Sequence, residues 1–198
     1  MDKFNELKML LMKDRSYRRF NESERIDNET LKEIVELSRY CASGRNLQPL
    51  KYILISEQSV CDEIFPLLKW AGYLPEWEGP EPGERPSAYI VQLLDTDITS
   101  NPLCDEGLQI QAITLGAVAC GYGACIIKSF NSARLREILK IDSNLQPSYV
   151  IAMGKPLEEV VIEELKDNST DSIKYYRTPD RVHHVPKRSL KDLVIKQI

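Results

Sequence analysis

The stretch from Asp105 to Gly121, D-E-G-L-Q-I-Q-A-I-T-L-G-A-V-A-C-G, constrains the fold more tightly than any other part of the chain. It reads as a helix, and its two leading acids suit the positive end of a helix dipole. Beyond them nearly every face is apolar or small, with Leu108, Ile110, Ala112, Ile113, Leu115, Ala117 and Val118 spread around the axis. A helix that is apolar all round has to be covered all round. The chain has 198 residues, a length that fits one domain burying roughly 70% of its unfolded surface. The expectation is therefore a central helix with a sheet on one side and a second copy of the chain on the other. Gly116 and the alanines would permit close helix approach.

Other elements arrange themselves around this helix. Met1 to Lys13 has Phe4, Leu7, Leu10 and Leu11 at helical spacing. Either Asp27 or Asn28 caps a second helix carrying Leu31, Ile34 and Val35 and closing near Tyr40. Lys51–Ser56, Ala88–Leu94 and Ser148–Met153 read as strands, the last ended by Gly154-Lys155-Pro156. Tyr122–Phe130 turns through glycines and becomes extended, and Val160–Ile162 is extended too. Gln58–Lys69, Ser132–Leu139 and Leu190–Ile198 read as further helices. The connection from Trp70 to Pro86 concentrates both tryptophans with several prolines and glycines. Its aromatics either wall a pocket or staple the loop to the core, and tryptophan suits both roles equally. The tail from Asp167 to Arg188 is polar without helical periodicity. The expected whole is a single α+β domain over residues 1–198, without the regular alternation of a doubly wound sheet.

Several function classes drop out. The net charge is -4 and no lysine run or basic stripe occurs, which argues against nucleic acid as a partner. No apolar run approaches the ~20 residues that span a bilayer. The N-terminus lacks the apolar core of a signal peptide, so a cytoplasmic protein is expected. The five cysteines form no C-x-x-C and are expected to be mostly buried small apolar groups. The two histidines, His183 and His184, are adjacent and have no companion ligand cluster, so no metal site is expected. No G-x-G-x-x-G follows a strand, no phosphate-loop motif occurs, and no G-x-S-x-G supports a hydrolase.

What remains are three groups of residues. Arg15, Ser16 and Arg18 offer two guanidiniums and a hydroxyl within four residues, a set suited to a phosphate monoester. Lys187 and Arg188 form a second basic pair able to close over the same phosphate. The loop C-A-S-G-R-N-L-Q-P-L, Cys41 to Leu50, carries Ser43, Asn46 and Gln48. Carboxamides present donor and acceptor together and so suit an imide edge, as in a flavin or a pyrimidine. In the same loop Gly44 permits a positive φ and Pro49 fixes the exit. Arg45 points either to such a ligand or to solvent. A small-residue turn at Gly121–Ala124 completes what a flat phosphorylated cofactor needs. The competing reading of each group is an ordinary solvated loop or charge cluster.

Taken together, R-S-Y-R (Arg15 to Arg18), S-G-R-N-L-Q-P (Ser43 to Pro49), G-Y-G-A-C-I-I-K-S-F (Gly121 to Phe130) and P-K-R-S-L (Pro186 to Leu190) resemble the nitroreductase-like family of FMN-dependent oxidoreductases. The resemblance implies a central, mainly antiparallel sheet flanked by helices, and an intertwined homodimer with one FMN at each end of its interface. It implies that Arg15, Ser16, Tyr17 and Arg18 hold the phosphate and the pyrimidine side of the flavin. Ser43, Asn46 and Gln48 would line the cofactor, Ile126, Ile127 and Lys128 would pass flavin N5 with a backbone N–H, and Lys187 and Arg188 would return to the phosphate. No side chain is obligatory for hydride transfer, since the flavin carries that chemistry. NADH or NADPH would reduce FMN and leave, and a nitroaromatic, quinone or similar acceptor would take its place. At two positions the chain departs from the family pattern. Asp14 stands where a basic residue is frequent, leaving Arg15 as the stand-in cation, and Lys128 stands where Gly or Glu is frequent. The alternatives are a non-enzymatic FMN-binding or sequestering protein, a specialised flavin enzyme of the same fold, and a dimeric scaffold without cofactor.

Overall fold

The computed structural model describes residues 2–166, 169, 170 and 172–198. Met1 and Asp167, where the sequence reading begins its first helix and its polar tail, lie outside the described residues. Packing divides the chain into two compact units, Met1–Trp70 with Gly79–Leu157, and Ala71–Glu78 with Glu158–Ile198.

The first unit is built on β3 (Ala88–Asp95), buried from Ala88 to Leu94. An unbroken apolar run such as A-Y-I-V suits a strand covered on both faces. It pairs antiparallel with β2 (Leu50–Ile55) on one side and β5 (Leu145–Pro156) on the other. β4 (Gly123–Ile127) pairs with the far edge of β5, and β1 (Phe20–Asn21) pairs with its last two residues. All strand pairings in this sheet are antiparallel among the described residues.

β5 is longer than the sequence suggests. Gly-Lys-Pro reads as a terminator, yet Gly154 pairs with Gly123, Lys155 with Asn21 and Pro156 with Phe20. A Cβ on Gly154 would sit 2.8 Å from the Phe20 Cβ, so the glycine is there for close approach rather than for a turn.

Helices α1 (Lys3–Lys13), α2 (Asn28–Glu36), α3 (Gln58–Ile64), α4 (Asp105–Ala119) and α5 (Ser132–Leu139) complete this unit. Asp27 is the residue that caps α2, its carboxylate accepting the Thr30 N–H at 2.7 Å. Leu31 and Ile34 of α2 pack with Ile110, Ile113 and Ala117 of α4 onto Ala88, Ile90, Ile151 and Met153 of the sheet. Each of the leucine, isoleucine and methionine side chains contributes about 1.5–3 kcal/mol by leaving water. The opposite side of α4 is open: Leu108, Gln111 and Ala119 are exposed, and Ala112 and Leu115 are half-buried. None of the residues of α1 is buried, although Phe4, Leu7, Leu11 and Met12 are apolar.

The second unit holds a three-stranded sheet. β6 (Val160–Glu164) runs parallel to β8 (His183–Lys187), and β7 (Tyr176–Arg177) pairs antiparallel with β8. The two histidines point opposite ways, as alternation along a strand demands. The buried His183 packs on Tyr175, and His184 stacks on Tyr176 and bonds Glu163 at 2.6 Å. The segment Ala71–Glu78 is fastened here: Tyr73 packs on Tyr175 at 5.0 Å, and Arg177 lies 4.4 Å above the Trp77 ring. Arg177 also pairs with the buried Glu158 at 3.1 Å. A short α6 (Leu190–Leu193) follows a Ser189–Asp192 capping box.

The tryptophans therefore divide. Trp70 is buried in the first unit against Phe65, with Gly79 leaving room for its ring, so it acts as a staple. The cysteines overturn their expectation, since only Cys61 and Cys125 are buried; Cys104 and Cys120 are exposed at the two ends of α4, where the helix leaves the core. Among the described residues no helix is long and apolar enough to cross a membrane, and no group of three or more His, Cys, Asp or Glu side chains could hold a metal ion.

Candidate functional site

The Cys41–Leu50 loop is held by the first residue of α4. The buried Asp105 carboxylate accepts the Ser43 hydroxyl at 2.5 Å and the Gly44 N–H at 2.8 Å. Ser43 Oγ in turn accepts the Gln48 N–H at 2.9 Å, and Gln48 Nε2 donates to the Asn46 carbonyl at 3.2 Å. The left-handed residues are Arg45 (φ 51°), Asn46 (φ 56°) and Gln48 (φ 51°), not Gly44. Gly44 instead lies under the exposed Leu103 side chain, whose tip a Cβ there would push aside. Left-handed backbone costs a residue with a Cβ roughly 1–2 kcal/mol, and the Asp105 bonds hold the loop against it.

The outcome for the loop residues is uneven. Ser43 is engaged on both sides of its hydroxyl and shapes the loop. Asn46 and Gln48 are exposed and, with Cys41, Tyr52 and Gln109, line an open cavity of about 750 Å³ between α2 and β2. Its floor is polar. Tyr52 donates to Gln109 Oε1 at 2.7 Å and accepts from Gln92 Nε2 at 3.2 Å, and burial pushes the Tyr52 phenol up to about 12. Gln92 Oε1 is buried and has no hydrogen-bond partner among the described residues. The sequence reading passed over Gln92 and Gln109; the signal was a carboxamide inside an otherwise apolar strand and an apolar helix.

The Arg15–Arg18 stretch docks on the start of β4. Ser16 bridges Ala124, and the Tyr17 N–H donates to the Ala124 carbonyl at 3.0 Å. Gly123 makes this approach possible, since a Cβ there would strike the Tyr17 ring and Pro156. Arg15 Nη2 donates to the Leu11 carbonyl at 2.8 Å, while its Nε is buried with no hydrogen-bond partner among the described residues. Arg18 is buried and donates to the Ser16 carbonyl at 3.1 Å. Asp14 accepts from Thr114 Oγ1 at 2.8 Å and from Gln111 Nε2. Burial raises the Asp14 pKa, with those hydrogen bonds and the Arg15 charge opposing the rise. Asp14, Arg15 and Ser16 line a cavity of about 110 Å³ with Gln111, Thr114 and Ile126.

On β4, Ile126 is 45% exposed and Ile127 is buried. Lys128 lies just beyond the strand, its ammonium 3.1 Å from the Tyr149 hydroxyl and 4.6 Å from that ring's centre. The Tyr149 hydrogen bond holds the Lys128 pKa above its ordinary value. In the second unit, Lys187 ends β8 and Arg188 follows it, both exposed.

The two cavities of the first unit lie on different flanks of α4. Of the α4 residues, Gln109 lines the first, and Gln111 and Thr114 line the second; Gln111 is two positions beyond Gln109, about 200° around the axis. The open stripe of Leu108, Ala112, Leu115 and Ala119 runs between them, with Gln111 at its edge in the second cavity. A single chain therefore brings Arg15, Ser16 and Ile126 together in one place and Ser43, Asn46 and Gln48 together in another.

A model of the nitroreductase family matches residues 11–77 and 89–155, more than half of the chain and including both cavities' loops. The chain belongs to the nitroreductase family. Solved nitroreductases share its fold. A nitroreductase-like protein from Streptococcus mutans is 15% identical, with a TM-score of 0.65 over 78% of this chain and 90% of that one. A nitroreductase family protein from Streptococcus pneumoniae TIGR4 is 18% identical, with a TM-score of 0.64 over 97% and 100%. An FMN-dependent nitroreductase from Clostridium difficile R20291 is 21% identical, with a TM-score of 0.62 over 76% and 87%. No curated protein sequence matches the chain. The α+β nitroreductase fold, with its antiparallel sheet and flanking helices, is thus the one expected. The nitroreductase match stops at residue 155, so the Glu158–Ile198 part of the second unit falls outside it, while residues 71–77 of that unit fall inside.

Proposed function

We propose that the chain is an FMN-dependent oxidoreductase of nitroreductase type that works as a homodimer. It would take hydride from NADH or NADPH and deliver it to a nitroaromatic, quinone or similar acceptor, in two half-reactions at one site. The supporting observation is the separation of the two cavities across the open stripe of α4. Two copies packed through that stripe would cover its apolar surface and set the Arg15 cavity of one against the Asn46–Gln48 loop of the other.

The residues fit the cofactor. The buried Arg15 Nε, with no partner among the described residues, is a donor awaiting an acceptor, and a phosphate oxygen is one. Arg15, Ser16 and Arg18, with Tyr17 seating the stretch on β4, would hold the phosphate side. Asn46 and Gln48 would offer donors and acceptors to the imide edge, on a loop that Ser43 shapes. The backbone over Ile126, Ile127 and Lys128 would supply a donor to the flavin ring. When bound, FMN supplies the two-electron chemistry. The protein's tasks are to orient and to exclude water, and no side chain is asked to act as acid or base. We place the working protein in the cytoplasm.

The absorption spectrum of the purified protein tests this reading. A flavin band is expected, bleached by NADH or NADPH without air. A colourless protein that takes up no added FMN overturns it. A bound flavin that stays oxidised with both nucleotides overturns the enzyme reading and leaves a flavin-sequestering protein.

A further inference from the structure

We propose that Asp14 makes binding at the Arg15–Ser16 cavity proton-linked, so that a phosphate monoester end is held tightly only when Asp14 and the phosphate together take up a proton. The inference rests on the reading that this cavity receives the cofactor's phosphate.

Geometry carries it. Asp14 lines the same cavity of about 110 Å³ as Arg15 and Ser16. Its carboxylate is fixed there, because Thr114 and Gln111 of α4 both donate to Oδ2. Those two partners are neutral, and β4 contributes only Ala124 and Ile126 to the lining. Arg15 is thus the one charged group facing Asp14 in this cavity among the described residues. A dianionic phosphate drawn in by the Arg15 guanidinium would meet a second anion in a space of a few water molecules. Two like charges so close favour a state in which one is protonated. A proton taken from solvent and shared between a carboxylate oxygen and a phosphate oxygen turns that repulsion into a hydrogen bond. Burial has already moved Asp14 in the required direction.

The consequence is a site that discriminates by charge state. Without the carboxylate, affinity should fall on acidification, as the phosphate loses its second charge near pH 6 and with it part of its attraction to Arg15. With Asp14 present, acidification removes a repulsion instead, and the two effects oppose one another.

The test is titration of FMN and of riboflavin, which lacks the phosphate, into the full-length wild-type, Asp14→Asn and Asp14→Ser chains from pH 5.5 to pH 8, read by flavin fluorescence. For FMN at pH 8 the wild-type Kd should exceed that of either variant by about tenfold, the value of one charge interaction worth one pKa unit. That ratio should collapse toward one at pH 5.5, and the riboflavin ratio should stay near one throughout. An FMN ratio that does not change with pH overturns the proposal and leaves the flavin reading standing. Equal changes for FMN and riboflavin overturn it too, since Asp14 would then act on the fold. Binding of neither flavin overturns the flavin reading and this inference with it.

Discussion

The Cys41–Leu50 loop and the Asp14–Arg18 stretch flank the same helix but are held by opposite means. In the loop, an unfavourable backbone is locked by a complete set of hydrogen bonds from Asp105, Ser43 and Gln48. In the stretch, the backbone is ordinary and docked on β4, while the side chains carry the unmet demand, a buried Arg15 Nε and a desolvated Asp14. The loop's bonds are already made from within the chain, whereas the stretch keeps a buried donor open, the one that the proposed FMN phosphate would fill.

Substitutions can break this contrast, and the largest effect should fall on the loop. Asp105→Ala removes two hydrogen bonds to a buried carboxylate, each worth about 1.5–3 kcal/mol. A loss of about 3–5 kcal/mol is expected, read from the urea midpoint at unchanged slope, and a loss below about 1 kcal/mol would show that the loop holds itself. The stretch should respond in binding. Arg15→Ala combined with Arg18→Ala is expected to weaken FMN retention by about a hundredfold, the equivalent of one or two charged hydrogen bonds; full retention would mean the phosphate lies elsewhere.

A smaller effect of opposite sign sharpens the comparison. Arg45→Gly relieves a left-handed residue that is exposed, and should raise stability by up to about 1 kcal/mol, less the entropy cost of glycine. A destabilised variant would show that the Arg45 side chain contributes contacts. The smallest effect is a slope. Because burial raises Asp14 above the usual 3.8, the folded state keeps this proton to higher pH than the unfolded state. Its stabilising contribution is then present below the unfolded value and is lost as pH rises through the raised one. Asp14→Asn should gain relative to wild type as pH rises through that window, and parallel denaturation profiles would count against it.

The legibility of these features follows their range along the chain. The α2 cap was narrowed to Asp27 or Asn28, while the extent of α5 and the strand β3 rest on neighbours and were readable. The end of β5 was not, because Gly154 and Pro156 take their meaning from Phe20, far away in sequence. β7 and β8 escaped notice for the same reason, since a two-residue strand and a parallel pairing with β6 leave no local period. At the site, Asn46 and Gln48 were legible as carboxamides in a loop. The clamp was not, because Ser43 and Asp105 are 62 residues apart. Positive φ was assigned to the glycine on local grounds, whereas the long-range bond places it on Arg45, Asn46 and Gln48.

The anchoring of residues 71–78 has a consequence for synthesis. Tyr73 and its partner Tyr175 are 102 residues apart. A ribosome adds about 5–20 residues per second, so Tyr73 and Trp77 leave the tunnel some 5–20 s before the strand that receives them exists. For that interval two aromatic side chains ride on a nascent chain with nowhere to dock.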